Sequence, residues 1–217
     1  MKIAVYSGSF NPLHIGHLAI LEYLVQKTDF DKVYLIVSPV NPFKEGVKQT
    51  SAEERLRLAQ EAISRHTTEI TRERHSKHVL CAQPDGTTSD VATVTVEVKD
   101  IELTMPAPHY TIKTLDALKA SEPDNDFTLV IGGDNLSAFT RWRDYERILK
   151  DYGLAVYPRD GYSIDKAIDE LNAAIPDMTR EDIVSRIKLI HSPLVNISST
   201  TIREGLAAGR DMSDWMM

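Results

Sequence analysis

At 217 residues, 42% hydrophobic and 26% charged, the chain has the composition of a folded globular protein and enough length to bury a core without covalent staples. Its 25 basic and 32 acidic residues leave a net charge of −7, which argues against a general nucleic-acid binder. Cys81 is the sole cysteine, the N-terminus carries no signal-peptide pattern, and no apolar run approaches the ~18 residues of a membrane helix, so the sequence predicts a cytoplasmic protein with no membrane anchor.

The first strand candidate, Lys2-Ile3-Ala4-Val5-Tyr6, runs through a turn, Gly8-Ser9-Phe10-Asn11-Pro12-Leu13-His14-Ile15-Gly16-His17, into an apolar helix over 18–27. Val33-Tyr34-Leu35-Ile36-Val37 reads as a central parallel strand, followed by a loop with two prolines that carries Lys44. Ser51 and Glu54 predict a capping box and a helix from Ala52 to about His66, with Leu56, Leu58, Ala59, Ala62 and Ile63 on its apolar side. Residues 66–92 read as an irregular surface insertion with a turn at Asp85-Gly86. His75, His78 and Cys81 fall at three-residue intervals there, but no clear fourth ligand accompanies them and no metal site is assigned.

Thr93 to Val98 alternates as a strand, Thr111 to Ala120 reads as a helix, and Phe127 to Ile131 as another buried strand ending at Gly132-Gly133-Asp134. A helix over 136–150, a short strand over 153–157, a helix over 163–174 and a turn near 181–186 follow. A strand at 187–190 and a last helix from about 199 to 208, closed by Gly209, complete the chain. Strands alternating with helices predict an α/β fold, a doubly wound, mostly parallel sheet in a single domain.

Two stretches carry chemistry. His14 and His17 share one face of a helical turn, and Gly16 between them lets a ligand approach the backbone. Imidazole N–H groups, free backbone N–H groups and the helix dipole there all favour an anion. In Asn196-Ile197-Ser198-Ser199-Thr200-Thr201-Ile202-Arg203, Ser198 suits an N-cap, the next hydroxyls crowd the helix start, and Arg203 stands one turn on with a bidentate fork. Together they suggest a triphosphate held between two helix N-termini.

This pair of motifs resembles the nucleotidylyltransferase superfamily (a Rossmann-like fold) and, within it, the bacterial nicotinate-nucleotide adenylyltransferases. Pro108-His109-Tyr110-Thr111 is similar to that family's Pro-x-Tyr-Thr, and Gly132-Gly133-Asp134 to its Gly-x-Asp. Trp142, Arg159 and Lys44 fall where the family carries a ring-stacking Trp and two basic residues. Taken alone, Tyr110 and Trp142 also suit a core, Asp134 an N-cap, and Lys44 a solvated loop. Three departures stand out: Arg143 replaces a frequent second aromatic, the 66–92 segment is long, and no further helix follows Asp214-Trp215-Met216-Met217.

The resemblance implies adenylyl transfer from ATP to nicotinate mononucleotide, giving nicotinate adenine dinucleotide and pyrophosphate in NAD biosynthesis. It implies that His14 and His17 donate to the ATP phosphates and that Lys44 and Arg203 neutralise charge. Ser199 and Thr200 would hold the β/γ end, and Ser9 and Phe10 would offer backbone donors. Asp134 would accept from the ribose, Tyr110, Thr111 and Trp142 would seat the nicotinate ring, and Arg159 would lie near both substrates. Gly8, Asn11, Gly132 and Ile197 complete the substrate-binding motifs. Magnesium would come mainly on the ATP phosphates. The alternatives are transfer to nicotinamide mononucleotide or phosphopantetheine, or a non-catalytic nucleotide sensor. Oligomeric state stays open.

Overall fold

The computed structural model describes residues 1–39, 50–75 and 91–217. Lys44, the Asp85-Gly86 turn, His78 and Cys81 lie outside the described residues. Among the described residues seven strands form one sheet: β1 (Lys2–Gly8), β2 (Lys32–Val37), β3 (Arg72–His75), β4 (Val91–Lys99), β5 (Asp126–Gly132), β6 (Leu154–Tyr157) and β7 (Ile187–Leu189). Their order is β3-β4-β2-β1-β5-β6-β7, with every pairing parallel except β3 with β4.

The helices are α1 (Ile15–Lys27), α2 (Ala52–Arg65), α3 (Ile101–Thr104), α4 (Thr111–Ser121), α5 (Gly133–Ser137), α6 (Tyr145–Arg147), α7 (Ile164–Ala174), α8 (Arg180–Ser185) and α9 (Ser199–Ala207). Alternation along β1 separates two cores. Ala4 and Tyr6 face a cluster containing Leu21, Leu24, Ala59 and Ala62 of α1 and α2, while Ile3 and Val5 face one containing Leu115, Leu118, Ile168 and Leu171 of α4 and α7. Each fully buried leucine contributes about 1.5–3 kcal/mol. Both faces are therefore covered, as doubly wound winding requires. The chain leaves β1 for β2 on one side and returns through β5 on the other, so the topological switch lies between β1 and β5.

Three local expectations change. The interval 66–75 is built into the fold: Ile70 is buried in the first core, and β3 extends the sheet as an antiparallel edge. At α2, Ser51 accepts from the Glu54 N–H at 3.2 Å, but the Glu54 carboxylate turns to Arg57, so half of the capping box forms. The helix also buries Arg55 and leaves Leu58 exposed. The third change replaces the single helix over 136–150. α5 passes into a 3₁₀ turn (Phe139–Arg141), breaks at Trp142 to Asp144, and resumes as α6 and a π-turn (Ile148–Tyr152). Trp142 is extended and Asp144 sits at φ +53, which no helix accommodates. Phe139, Trp142 and Tyr145 still cluster, with centroids 5.5 and 6.2 Å from Phe139, because a three-residue interval suits a 3₁₀ turn as well as an α-helix.

Candidate active site

The turn after β1 is shaped around Phe10, whose ring is buried and whose backbone lies at φ +43. A Cβ at Gly8 would stand 3.0 Å from the Phe10 ring, so any larger residue there presses on that ring. His14 caps α1 in extended conformation, and its N–H donates to Nδ1 of His17 at 3.1 Å. That acceptor role places the ring proton of neutral His17 on Nε2. The two rings lie 3.7 Å apart, and a Cβ at Gly16 would press on the His14 ring at 3.0 Å. His14 is 3% exposed, and its Nδ1 has no hydrogen-bond partner among the described residues. Burial, then the charge of Arg159, pulls its pKa down to about 4, so the ring is neutral at pH 7.

The last helix is tied to this turn. Ser198 accepts from the Thr201 N–H at 3.1 Å, Ser199 Oγ donates to the Pro12 carbonyl at 3.0 Å, and Arg203 Nη1 donates to the Asn11 carbonyl at 2.7 Å. Arg203 Nη2 donates to Thr200 Oγ1 at 3.0 Å. The expected fork of Arg203 thus holds protein atoms with two of its donors. Ile197 is buried beside Gly16. The N-termini of α1 and α9 are therefore joined, as the paired motifs anticipate.

Across the switch, β5 ends at Gly132, where a Cβ would lie 2.3 Å from Asp134 Oδ1 and 3.1 Å from Tyr157. Asp134 Oδ1 is buried without a hydrogen bond among the described residues, 3.8 Å from Arg159 Nε. Arg159 also lies over the Tyr157 ring at 5.2 Å. Tyr6, Phe10 and Tyr157 surround the site with edge-on contacts, and Phe10 meets His17 at 5.2 Å. Burial, then Tyr157, raises the Tyr6 hydroxyl, which stays protonated. Sequence reasoning missed Tyr6 and Tyr157. Both stand near the carboxyl ends of parallel strands, and that position was the available signal.

Tyr110 and Trp142 are brought together on one cleft of about 610 Å³, lined also by residues 140–147 including Arg143. Thr111 opens α4 directly after Tyr110. A smaller hollow of about 230 Å³ is lined by Arg159, Asp160, residues 194–198 and Thr201. The ring residues and the phosphate-motif residues thus line separate hollows.

Among the described residues no three His, Cys, Asp or Glu side chains are grouped to hold a metal, and no helix is long and apolar enough to cross a membrane. A cytidylyltransferase-like family model matches residues 5–205. A Bacteroides fragilis protein named as a probable nicotinate-nucleotide adenylyltransferase is 37% identical over 97% of this chain and 85% of its own length. A Porphyromonas gingivalis protein of the same name is 32% identical over 100% of this chain and 89% of its own. Among solved structures, a Plasmodium falciparum nicotinic acid mononucleotide adenylyltransferase complexed with NaAD superimposes with TM-score 0.67 at 17% identity, over 98% of this chain and 87% of that one, and shares the fold.

Proposed function

The chain belongs to the cytidylyltransferase-like family, and from that membership we propose that it transfers the adenylyl group of ATP to nicotinate mononucleotide in NAD biosynthesis. The observation that carries the chemistry is the buried, unpartnered Nδ1 of His14 beside His17, between the joined starts of α1 and α9. An unsatisfied buried polar atom costs about 1–3 kcal/mol, a cost that a phosphate oxygen relieves in the tautomer with the ring proton on that nitrogen.

In this reaction a phosphate oxygen of nicotinate mononucleotide bonds to the α-phosphorus of ATP. The bond from that phosphorus to the bridging oxygen breaks, and pyrophosphate leaves with the electron pair. The attacking phosphate has a second pKa of about 6 and is largely dianionic at pH 7, so the protein needs no general base. Its task is to align two anions and to meet charge that builds at the α-phosphate and the leaving group. His17 donates from Nε2, and His14 from whichever nitrogen carries its proton. The free N–H groups at the starts of α1 and α9 and the hydroxyls of Ser199 and Thr200 receive the rest of the triphosphate. Asp134 accepts from the ribose, and Arg159 balances both substrates. Tyr110 and Trp142 wall the cleft for the pyridine ring.

Magnesium would supply charge neutralisation of the triphosphate. The ATP phosphates rather than side chains would carry it, since the described site offers hydroxyls and imidazoles and its acid, Asp134, faces Arg159. The negative net charge and the lone cysteine support a cytoplasmic enzyme that does not bind nucleic acid. The experiment offers the protein ATP and magnesium with nicotinate mononucleotide, nicotinamide mononucleotide or phosphopantetheine, and follows pyrophosphate. Release with the first alone is expected. Preference for another acceptor overturns the substrate, and ATP binding without release under any acceptor indicates a sensor.

A further inference from the structure

Among the described residues Arg55, one turn into α2, is the largest fully buried side chain, at 1% exposure, and no carboxylate forms an ion pair with it. Its guanidinium meets backbone carbonyls instead. Nε donates to Thr50 at 3.1 Å, Nη1 to Ser9 at 2.5 Å and to Ser38 at 2.7 Å, and Nη2 to Pro39 at 2.7 Å. These carbonyls belong to the turn after β1, the end of β2 and the lead-in to α2. Burying a cation is costly unless its donors are satisfied, and an amphipathic helix would fill this position more cheaply with leucine. Something other than packing is therefore served.

We propose that Arg55 is the positioning residue of the phosphate-binding turn, orienting the Ser9–Phe10 peptide so that its N–H faces the reacting phosphates. A trans peptide points its C=O and N–H in opposite directions. Arg55 holds the Ser9 carbonyl, so the Phe10 N–H is aimed away from α2, and it meets no acceptor among the described residues. Phe10 sits in the left-handed region, which an L residue leaves unless its neighbours hold it. The next residue is held as well: Asn11 Oδ1 accepts from Thr50 Oγ1 at 3.3 Å, and the Asn11 carbonyl accepts from Arg203. The turn is thus gripped from α2 on one side and from α9 on the other. Arg55 touches no substrate in this scheme, which rests on the adenylyl-transfer reading and acts through the backbone of residues 9–11.

The test uses the full chain as wild type, R55A, R55K and R72A. Arg72 is the control: it also caps backbone carbonyls, of Gln26 and Thr28, but at the far end of α1. Melting temperatures come first, then pyrophosphate release at a temperature where all variants are folded. R55A is expected to lose about 10–100-fold in kcat with KM for both substrates within about threefold, since small misplacement of reacting groups is costly. Millimolar guanidinium should restore part of that kcat, and R55K should fall between R55A and wild type. R72A should melt earlier and keep kcat within about twofold. A folded R55A, or R55K if R55A does not fold, with kcat within about twofold of wild type overturns the proposal. So does an equal loss in R72A for equal loss of stability. If the wild type binds ATP without turnover, adenylyl transfer fails, and Arg55 is judged on ATP affinity: at least about tenfold weaker in R55A supports it, and unchanged affinity overturns it.

Discussion

The His14 and His17 rings lie 3.7 Å apart with planes inclined by 31°, and they are joined through the His14 backbone, whose N–H donates to His17 Nδ1. His17 therefore does two separable things under the proposed reaction: its Nδ1 accepts from the N-cap N–H of α1, and its Nε2–H donates to phosphate. His17→Asn retains a short acceptor for the N-cap N–H and loses the Nε2 donor, whereas His17→Ala loses both. Both variants should turn over about 10²–10³-fold more slowly. Only the alanine variant should lose about 1 kcal/mol of stability. Melting curves beside steady-state rates separate the roles, and an asparagine variant with near-wild-type turnover would contradict the donor assignment.

His14 makes stability depend on pH in a defined direction. Its pKa in the folded protein is about 4, held down by burial and then by Arg159, against about 6.5 in an unfolded chain. The unfolded state takes up the proton first as pH falls. The contribution is therefore complete above pH ~6.5 and is lost progressively toward pH ~4, by about 3 kcal/mol in all. Wild type should lose melting temperature over that interval more steeply than His14→Gln. A bound triphosphate adds negative charge near the ring and should move its NMR titration midpoint upward. A midpoint near 6.5 in the ligand-free protein would refute this.

The parts legible in the sequence are those whose partners are near in sequence. The turn from Gly8 to His17 and the cap at Ser198 could be read because each contains its own geometry, and the strand–helix alternation gave the doubly wound sheet. Arg55 was hidden because it is a charged residue on a helix whose pattern placed leucines inward, and its four carbonyl partners come from three separate segments. Tyr6 and Tyr157 converge only because β5 lies between β1 and β6. The break at Asp144 was invisible because Phe139, Trp142 and Tyr145 keep a spacing that both helix types satisfy.

Gly132 and Gly133 are adjacent, and their substitutions should differ sharply. A Cβ at Gly132 would collide with Asp134 Oδ1 at 2.3 Å, whereas at Gly133 the nearest atom is 3.5 Å away. Gly132→Ala must displace the Asp134 carboxylate or the Tyr157 ring, at a cost of about 1–3 kcal/mol. It should raise KM for ATP severalfold if Asp134 accepts from the ribose. Gly133→Ala should leave both stability and KM close to wild type. Equal effects from the two would remove Asp134 from the ATP site.

Trp142 packs against Phe139 at a tilt of 53°, with centroids 5.5 Å apart, and lines the same cleft as Tyr110. The break at residues 142–144 is what frees it from a continuous helix to do both. Stacking of a ring on an aromatic side chain contributes about 1–3 kcal/mol, so Trp142→Ala should raise KM for nicotinate mononucleotide by about 10–100-fold. Trp142→Phe keeps a ring in place and should fall well short of that loss. KM for ATP should hold within about twofold in both, because the phosphate motifs line other surfaces. Initial-rate kinetics with each substrate varied in turn measure the split. A loss confined to ATP would instead assign this cleft to the adenine, and with it reverse the direction in which the two nucleotides lie across the β1–β5 switch.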